Sequence, residues 1–279
     1  MIYASTSCLK NPSDIIRVLD EYEKAGIENV ELGSVHKYFE TKQIKKFNFN
    51  FLIHNYFPPP KIPFNFNLAS TNNEIREKSY NLAIQAIDLC ADIESPLYTF
   101  HAGFTVDPPE LGEAFPKENI TDRKKAISIF IQEVMKVVDH GTSRGIKTAM
   151  EPNVVQKFNL VNNKNELSLF AEFPEIEELF QSLNETKLGL LLDLGHTIVT
   201  SHWLNFDKDK FVEKCRNKVF AIHVSNNNGL QDQHKSLTKE CWQSSKLKKF
   251  RNVPITLETM NLTVEGIKEN IKLVEEIID

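Results

Sequence analysis

Short apolar runs alternate with longer amphipathic stretches along the whole chain. Ile2 to Thr6 forms a first β-like run, and D-I-I-R-V-L-D-E-Y-E-K-A-G follows with apolar residues at helical spacing and a closing Gly. Asn29 to Gly33 and Asn50 to His54 read as the second and third strands. A Pro-rich loop then leads into the helix E-I-R-E-K-S-Y-N-L-A-I-Q-A-I-D-L-C. Leu97 to Gly103 is the fourth strand, a long polar loop follows, and a helix runs from about Asp122 to Arg144. Ile146 to Glu151 is the fifth strand, with helical signal after it in L-S-L-F-A-E-F-P-E-I-E-E-L-F-Q-S-L. Leu188 to Asp193, Val219 to His223 and Pro254 to Glu258 complete eight strands, and V-E-G-I-K-E-N-I-K-L-V-E-E-I-I is the last helix.

Eight strands separated by helical segments predict a parallel α/β fold, a (β/α)8 TIM barrel, as one domain over residues 1–279. The strands are apolar without strict alternation, as strands buried on both faces are. An open doubly wound sheet is the alternative, but no G-x-G-x-x-G follows the first strand.

Composition changes this picture little. The 279 residues, 41% hydrophobic and 25% charged, suit a soluble globular protein long enough to bury a sizeable core. A net charge of −5 gives no global attraction to anionic partners, so neither nucleic acid nor membrane is expected. Without a signal-like N-terminus or a run of transmembrane length, a cytoplasmic location is expected. Cys8, Cys90, Cys215 and Cys241 are far apart and read as reduced thiols.

Chemistry gathers where the strands end. In a barrel these ends converge on one face. They carry Glu31, His54, His101, Glu151, Asp193 with His196 three residues on, His223 with Asp232 and His234 on its loop, and Glu258. Five of the eight histidines are among them. A lone His after a strand is usually a structural hydrogen bonder and a lone carboxylate is usually solvated. Several carboxylates aimed into one cleft would instead repel and raise one another's pKa values unless cations compensate them. Glu151, Asp193, His223 and Glu258 would form a divalent-metal site suited to Mn, Zn, Mg or Co.

H-N-Y-F from His54, F-H-A-G to Gly103, M-E-P-N around Glu151, L-D-L-G-H to His196, I-H-V-S-N with D-Q-H, and L-E-T from Leu257 together resemble the xylose isomerase-like TIM-barrel superfamily. That superfamily holds sugar and sugar-phosphate isomerases and epimerases, and the endonuclease IV type (AP endonuclease family 2). The resemblance covers essentially the whole chain. It implies Glu151, Asp193, His223 and Glu258 as a shared metal tetrad, and His54, His101, His196, Asp232 and His234 as the further ligands of a multinuclear site, two or three ions in all. It also implies homo-oligomerisation, for which no stretch specifies an interface.

Three departures narrow the inheritance. Pro152-Asn153-Val154 and Ser225-Asn226-Asn227 stand where the nuclease branch has a glycine-rich segment and Asp-Ser-Lys, and Gly229 stands near the place of the ketose epimerases' Arg. The preferred expectation is therefore a metal-dependent isomerase or epimerase acting on a sugar or sugar phosphate through an ene-diolate. Glu151 and Glu258 would be its acid/base groups. Glu31, Asn153, Lys157 and Lys235 are the candidate substrate-binding residues, with His54 and His101 also able to meet substrate hydroxyls and Tyr56, Phe57, Phe104 and Trp203 as pocket walls. A multinuclear phosphoester hydrolase is the alternative, and a non-catalytic metal- or sugar-binding barrel is a third reading.

Overall fold

A computed structural model describes residues 1–108, 114–183 and 188–279; residues 109–113, part of the polar loop expected after the fourth strand, lie outside the described residues. Strands β1 (Ile2–Ser5), β2 (Asn29–Leu32), β3 (Asn50–His54), β4 (Leu97–His101), β5 (Lys147–Glu151), β6 (Leu188–Asp193), β7 (Val219–Val224) and β8 (Ile255–Leu257) pair in parallel and in sequence order. β8 returns to β1, so the sheet closes into a barrel. Helices α1 (Ile15–Lys24), α2 (Asn73–Asp92), α3 (Arg123–Ser143), α4 (Phe173–Ser182), α5 (Leu194–Leu204), α6 (Lys208–Cys215), α7 (Ser244–Leu247) and α8 (Val264–Ile278) lie between and after the strands. The four cysteines are unpaired, and among the described residues no helix is long and apolar enough to cross a membrane.

Local chemistry explains the helix starts. Asp14, Asn72, Asp122 and Thr263 each accept backbone N–H groups in the first turns of α1, α2, α3 and α8. The helical signal expected from Leu167 onward is realised only from Phe173. Pro174 suits a helix start, while Leu167 to Leu169 are drawn out to pair with the β4 loop through Thr105 N–H to Leu167 O and Leu169 N–H to Gly103 O. No α-helix separates β2 from β3, where the described chain has only a 3-10 segment, Thr41–Lys46.

The barrel interior positions the site. Tyr3, Leu52, Leu97, Ala149, Leu191 and Ala221, one from each of six strands, form a separate buried apolar cluster. Two residues further along the same six strands stand Ser5, His54, Thr99, Glu151, Asp193 and His223, all buried. Side chains two apart in a strand share a face, so an apolar plug is capped directly by a polar layer. His101 and Glu258, two residues beyond Thr99 and Thr256, continue it outward.

The β1 and β2 ends are tied together on the mouth side of the barrel. Gly33 N–H donates to Thr6 Oγ1 at 2.9 Å, and Thr6 Oγ1 lies 2.7 Å from His36 Nε2. His36 Nδ1 lies 2.6 Å from Pro12 O, so Nδ1 carries the proton and Nε2 accepts from Thr6. Burial pushes the His36 pKa down from 6.5 to about 4, against the opposing effects of Pro12 O and Asp14. The unfolded state therefore binds more protons between those values. This contribution to stability is full above pH 6.5 and is lost as the pH falls toward 4, on the order of 3 kcal/mol in all. Urea denaturation at pH 7.0, 5.5 and 4.5 should show wild type losing more stability on acidification than His36→Gln; parallel losses would refute this account.

Candidate metal centre

Asp193 shows how the fold aims a functional side chain. It ends β6 and caps α5 with no residue between, and its Oδ1 accepts the His196 N–H at 2.7 Å. One carboxylate oxygen is thus spent on the cap, and Oδ2 faces the mouth 3.9 Å from His196 Nε2. A Cβ on Gly195 would sit 3.0 Å from Ser225 Oγ and 3.1 Å from Asp193 Oδ1, so the L-D-L-G-H turn fits best with Gly there. His234 adopts a left-handed backbone, φ 47°, and its Nδ1 donates to Glu258 O at 3.0 Å. That strained conformation is held by the contact and leaves Nε2 facing Asp232.

All nine candidate ligands converge. Glu151 is the inner hub, with Oε2 3.5 Å from His54 Nε2 and 3.4 Å from His101 Nδ1, and Oε1 3.0 Å from His196 Nδ1. Asp232 is the outer hub, with Oδ2 3.2 Å from His196 Nε2 and 3.0 Å from His234 Nε2. His223 Nδ1 lies 3.3 Å from Glu258 Oε2. His54, Glu151, Asp193 and His223 are buried, while the His101 side chain is 29% exposed and opens the bowl to the outside.

Burial and charge act against each other here. Burial raises the Glu151 carboxyl, yet His101, His196 and His54 outweigh it and hold the pKa down at about 2. Burial likewise opposes Glu258, which His223 and His234 hold well below the usual range. Asp193 goes the other way, up to about 6, because burial dominates and Glu151, Glu258 and Asp232 add to it. Burial lowers every imidazole, but acidic neighbours reverse it for His196 and His223, whose pKa values rise well above normal, and for His234, raised to about 9. His54, pushed to about 3, and His101 stay neutral, since burial leads and neighbouring imidazoles add to it. Without a cation, protons on His196, His223 and His234 offset part of the buried negative charge.

Several atoms are within reach of a neighbour but not bonded to it. Both oxygens of Glu151, Asp193 Oδ2, Asp232 Oδ1, His196 Nδ1 and His223 Nδ1 are buried without a hydrogen-bond partner. Orphans of this kind are rare because each costs free energy, and here their lone pairs face shared space. Nitrogen and carboxylate donors suit a divalent cation of the Zn or Mn type. Four overlapping groups could hold ions, among them His196, Asp232 and His234, with ligand atoms within 4.8 Å of one another.

Residues 20–277 match the xylose isomerase-like TIM barrel family. The chain belongs to that family. It is 28% identical over 263 residues to the apurinic-apyrimidinic endonuclease 1 of Plasmodium falciparum, covering 87% of this chain and 38% of the relative. It is 25% identical over 189 residues to a probable endonuclease 4 of Aquifex aeolicus, 63% and 59% of the two chains. The chain thus spans less than two thirds of these curated relatives. A solved D-tagatose 3-epimerase-like protein shares the fold with a TM-score of 0.72 and 18% identity, over 99% and 97% of the two chains.

On this family scaffold the four residues expected to bind substrate fall into two kinds, Glu31 and Asn153 hydrogen-bonded within the protein and Lys157 and Lys235 exposed. Glu31 is 1% exposed, and its Oε2 accepts from His223 Nε2 at 2.9 Å and from Thr256 Oγ1 at 3.1 Å. Its Oε2 fixes the His223 ring, leaving Nδ1 unprotonated toward the bowl when the ring is neutral, while its Oε1 is buried without a hydrogen-bond partner. Asn153 spends its Nδ2 on the carbonyls of Ala102, Gly103 and Leu169, so it shapes the wall from within. Lys157 and Lys235 are exposed on loops, and Lys157 Nζ lies 6.0 Å from the Trp203 ring centroid. Phe57 is fully buried in the core and Trp203 bonds Leu230 O, whereas Tyr56 and Phe104 line a cavity beside His101.

Three supporting residues escaped the sequence reading. Thr99 lies 2.9 Å from His54 Nδ1, Thr256 supports Glu31, and Gln156 Oε1 accepts the Asp232 N–H at 3.0 Å. The threonines had a signal, being hydroxyls in apolar strands two residues before His101 and Glu258; Gln156 had none, since its partner is 76 residues away.

Glu31→Gln keeps the shape but weakens the hold on His223. Affinity for Zn should fall by about 10- to 100-fold with the circular dichroism spectrum unchanged. An unchanged affinity would show that Glu31 does not serve the metal centre.

Proposed function

We propose that this protein hydrolyses phosphoesters with the help of clustered divalent cations, and that its substrate is a nucleic-acid strand. The observation that carries the reading is the outer group of His196, Asp232 and His234. A proton transfer at one cation would use Glu151, Asp193, His223 and Glu258 and leave this second, separately supported set without work.

Glu151 would serve as the shared group, since its two oxygens face His54 and His101 on one side and His196 on the other. Asp193, His223 and Glu258 would complete the inner set, and Asp232 would hold His196 and His234 at the rim. Divalent cations bound there would activate a water and neutralise charge developing on the leaving oxygen. The chain's own contribution is to fix the spacing of the donors and to keep their lone pairs free of protein partners.

Net charge argues against nucleic acid, but the rim supports a large substrate. Val35, Tyr38, Ile62, Phe158 and Leu230 are exposed apolar side chains on the loops after β2, β3, β5 and β7. Exposed apolar groups gathered around one mouth are a usual mark of an interaction surface. The curated relatives named as apurinic-apyrimidinic endonuclease and endonuclease 4 support the same class, with abasic DNA as the first strand to test.

A sugar isomerase or epimerase is the second reading. It is favoured by Glu151 on β5 and Glu258 just past β8, three strands apart around the barrel, a placement suited to removing and returning a proton on two faces of a substrate.

Metal-loaded protein should cleave bis(p-nitrophenyl) phosphate and an abasic oligonucleotide, and Asp232→Asn should lower turnover by about two orders of magnitude. Incorporation of solvent deuterium into a ketose without phosphoester cleavage, and insensitive to Asp232→Asn, would replace this reading with the isomerase one.

A further inference from the structure

Beside the metal bowl, and open to it at His101, lies a cavity of about 460 Å³. That volume is in the range of small-ligand pockets. Its walls are aromatic, with Tyr56, Phe66, Phe104, Phe115 and Phe158 contributed by the loops after β3, β4 and β5. Its described lining has no Asp, Glu, Lys or Arg. Among the described lining residues a phosphate would find no countercharge, and a polyol no carboxylate to accept its hydroxyls.

The amides of this cavity fall into two kinds. Asn67 is saturated, accepting from Ala69 and Phe104 N–H and donating to Phe104 O, Val106 O and Asp107 Oδ1, and Asn153 is committed to three carbonyls. These two make a rigid floor. Asn55, Asn65 and Gln156 are each tied down at one end only: Asn55 Oδ1 accepts from His101 N–H, Asn65 Nδ2 donates to Pro108 O, and Gln156 Oε1 accepts from Asp232 N–H. Among the described residues, their opposite ends have no protein partner. Two NH₂ groups and one carbonyl oxygen are therefore fixed in place and available.

From this geometry we infer that the cavity holds an intact nucleobase, unstacked from its strand, next to the phosphoester cleaved at the metal bowl. Aromatic faces sandwich a planar ring whatever its sequence, and amides read its edge through paired donors and acceptors. The base held there would belong to a nucleotide flanking the cleaved phosphoester, which an abasic residue on the other side of that bond leaves in place. This inference rests on the phosphoester reading for its role in turnover, but the pocket itself can be tested without metal or catalysis.

Saturation-transfer NMR of the whole chain with adenosine, thymidine and methyl β-D-ribofuranoside makes the test, because none of these probes carries a phosphate. The nucleosides should bind with saturation concentrated on base protons, and the riboside should not bind. Phe158 is 61% exposed, so Phe158→Ala leaves the core intact. It should weaken nucleoside affinity by about tenfold. Equal binding of riboside and nucleosides, or unchanged nucleoside affinity in Phe158→Ala, would overturn the inference. Nucleoside binding without turnover of bis(p-nitrophenyl) phosphate would remove the hydrolase reading and leave the base pocket standing. Turnover without nucleoside binding would do the reverse.

Discussion

Five carboxylates and five imidazoles share the mouth of one barrel, most of them removed from water, and their mutual charge compensation is the constraint on which the rest depends. Glu31, Glu151 and Asp193 are almost fully buried. Left alone they would take up protons or destabilise the fold. In the metal-free chain the balance comes from raised histidines, His196, His223 and His234. Those protons sit where cations would go, so uptake of cations and loss of protons are two sides of one equilibrium. The buried atoms without hydrogen bonds, above all the two oxygens of Glu151, show that protons alone leave the site incompletely satisfied.

The barrel makes this arrangement affordable by placing it on strands. A period of two sets Leu52 under His54, Ala149 under Glu151, Leu191 under Asp193 and Ala221 under His223. The apolar layer excludes water from below and fixes the rotamers above it. Loops then add what strands cannot reach, and each addition is pinned: Asp232 by Gln156, His234 by Glu258 O, and the β3 loop by Asn55 under His101. Depth and exposure thus divide the labour. Strand-borne groups form the inner set, and His196 on α5 with the loop-borne Asp232 and His234 forms the outer set.

The sequence carried the barrel and the identity of the converging residues because both are local signals. An apolar run that stops at a His, Asp or Glu can be read directly, as six of the eight can, and eight runs separated by helical segments leave little topological choice. Roles were harder. Glu31 reads like a substrate ligand from its place near a strand end, and its bond to His223 exists because closure of the barrel brings β2 within three strands of β7, through β8 and β1. Asn153 stands two residues after Glu151, yet its amide turns back to the β4 loop. The helix after β5 began late because Leu167 to Leu169 had a stronger tertiary partner than their own helical propensity. Long-range pairing decided each of these cases, and no window of neighbouring residues contains it. The preference between isomerisation and hydrolysis moved for the same reason, since only the fold brings Asp232 and His234 onto His196.

The central claim is that the mouth holds more than one cation, with the outer group as a site in its own right. Counting ions per chain by inductively coupled plasma mass spectrometry after Zn loading and dialysis, with anomalous scattering to place them, tests it most directly. More than one ion per chain is expected, with one lost, at the rim, in His234→Ala. A single ion per chain in both wild type and variant would contradict it.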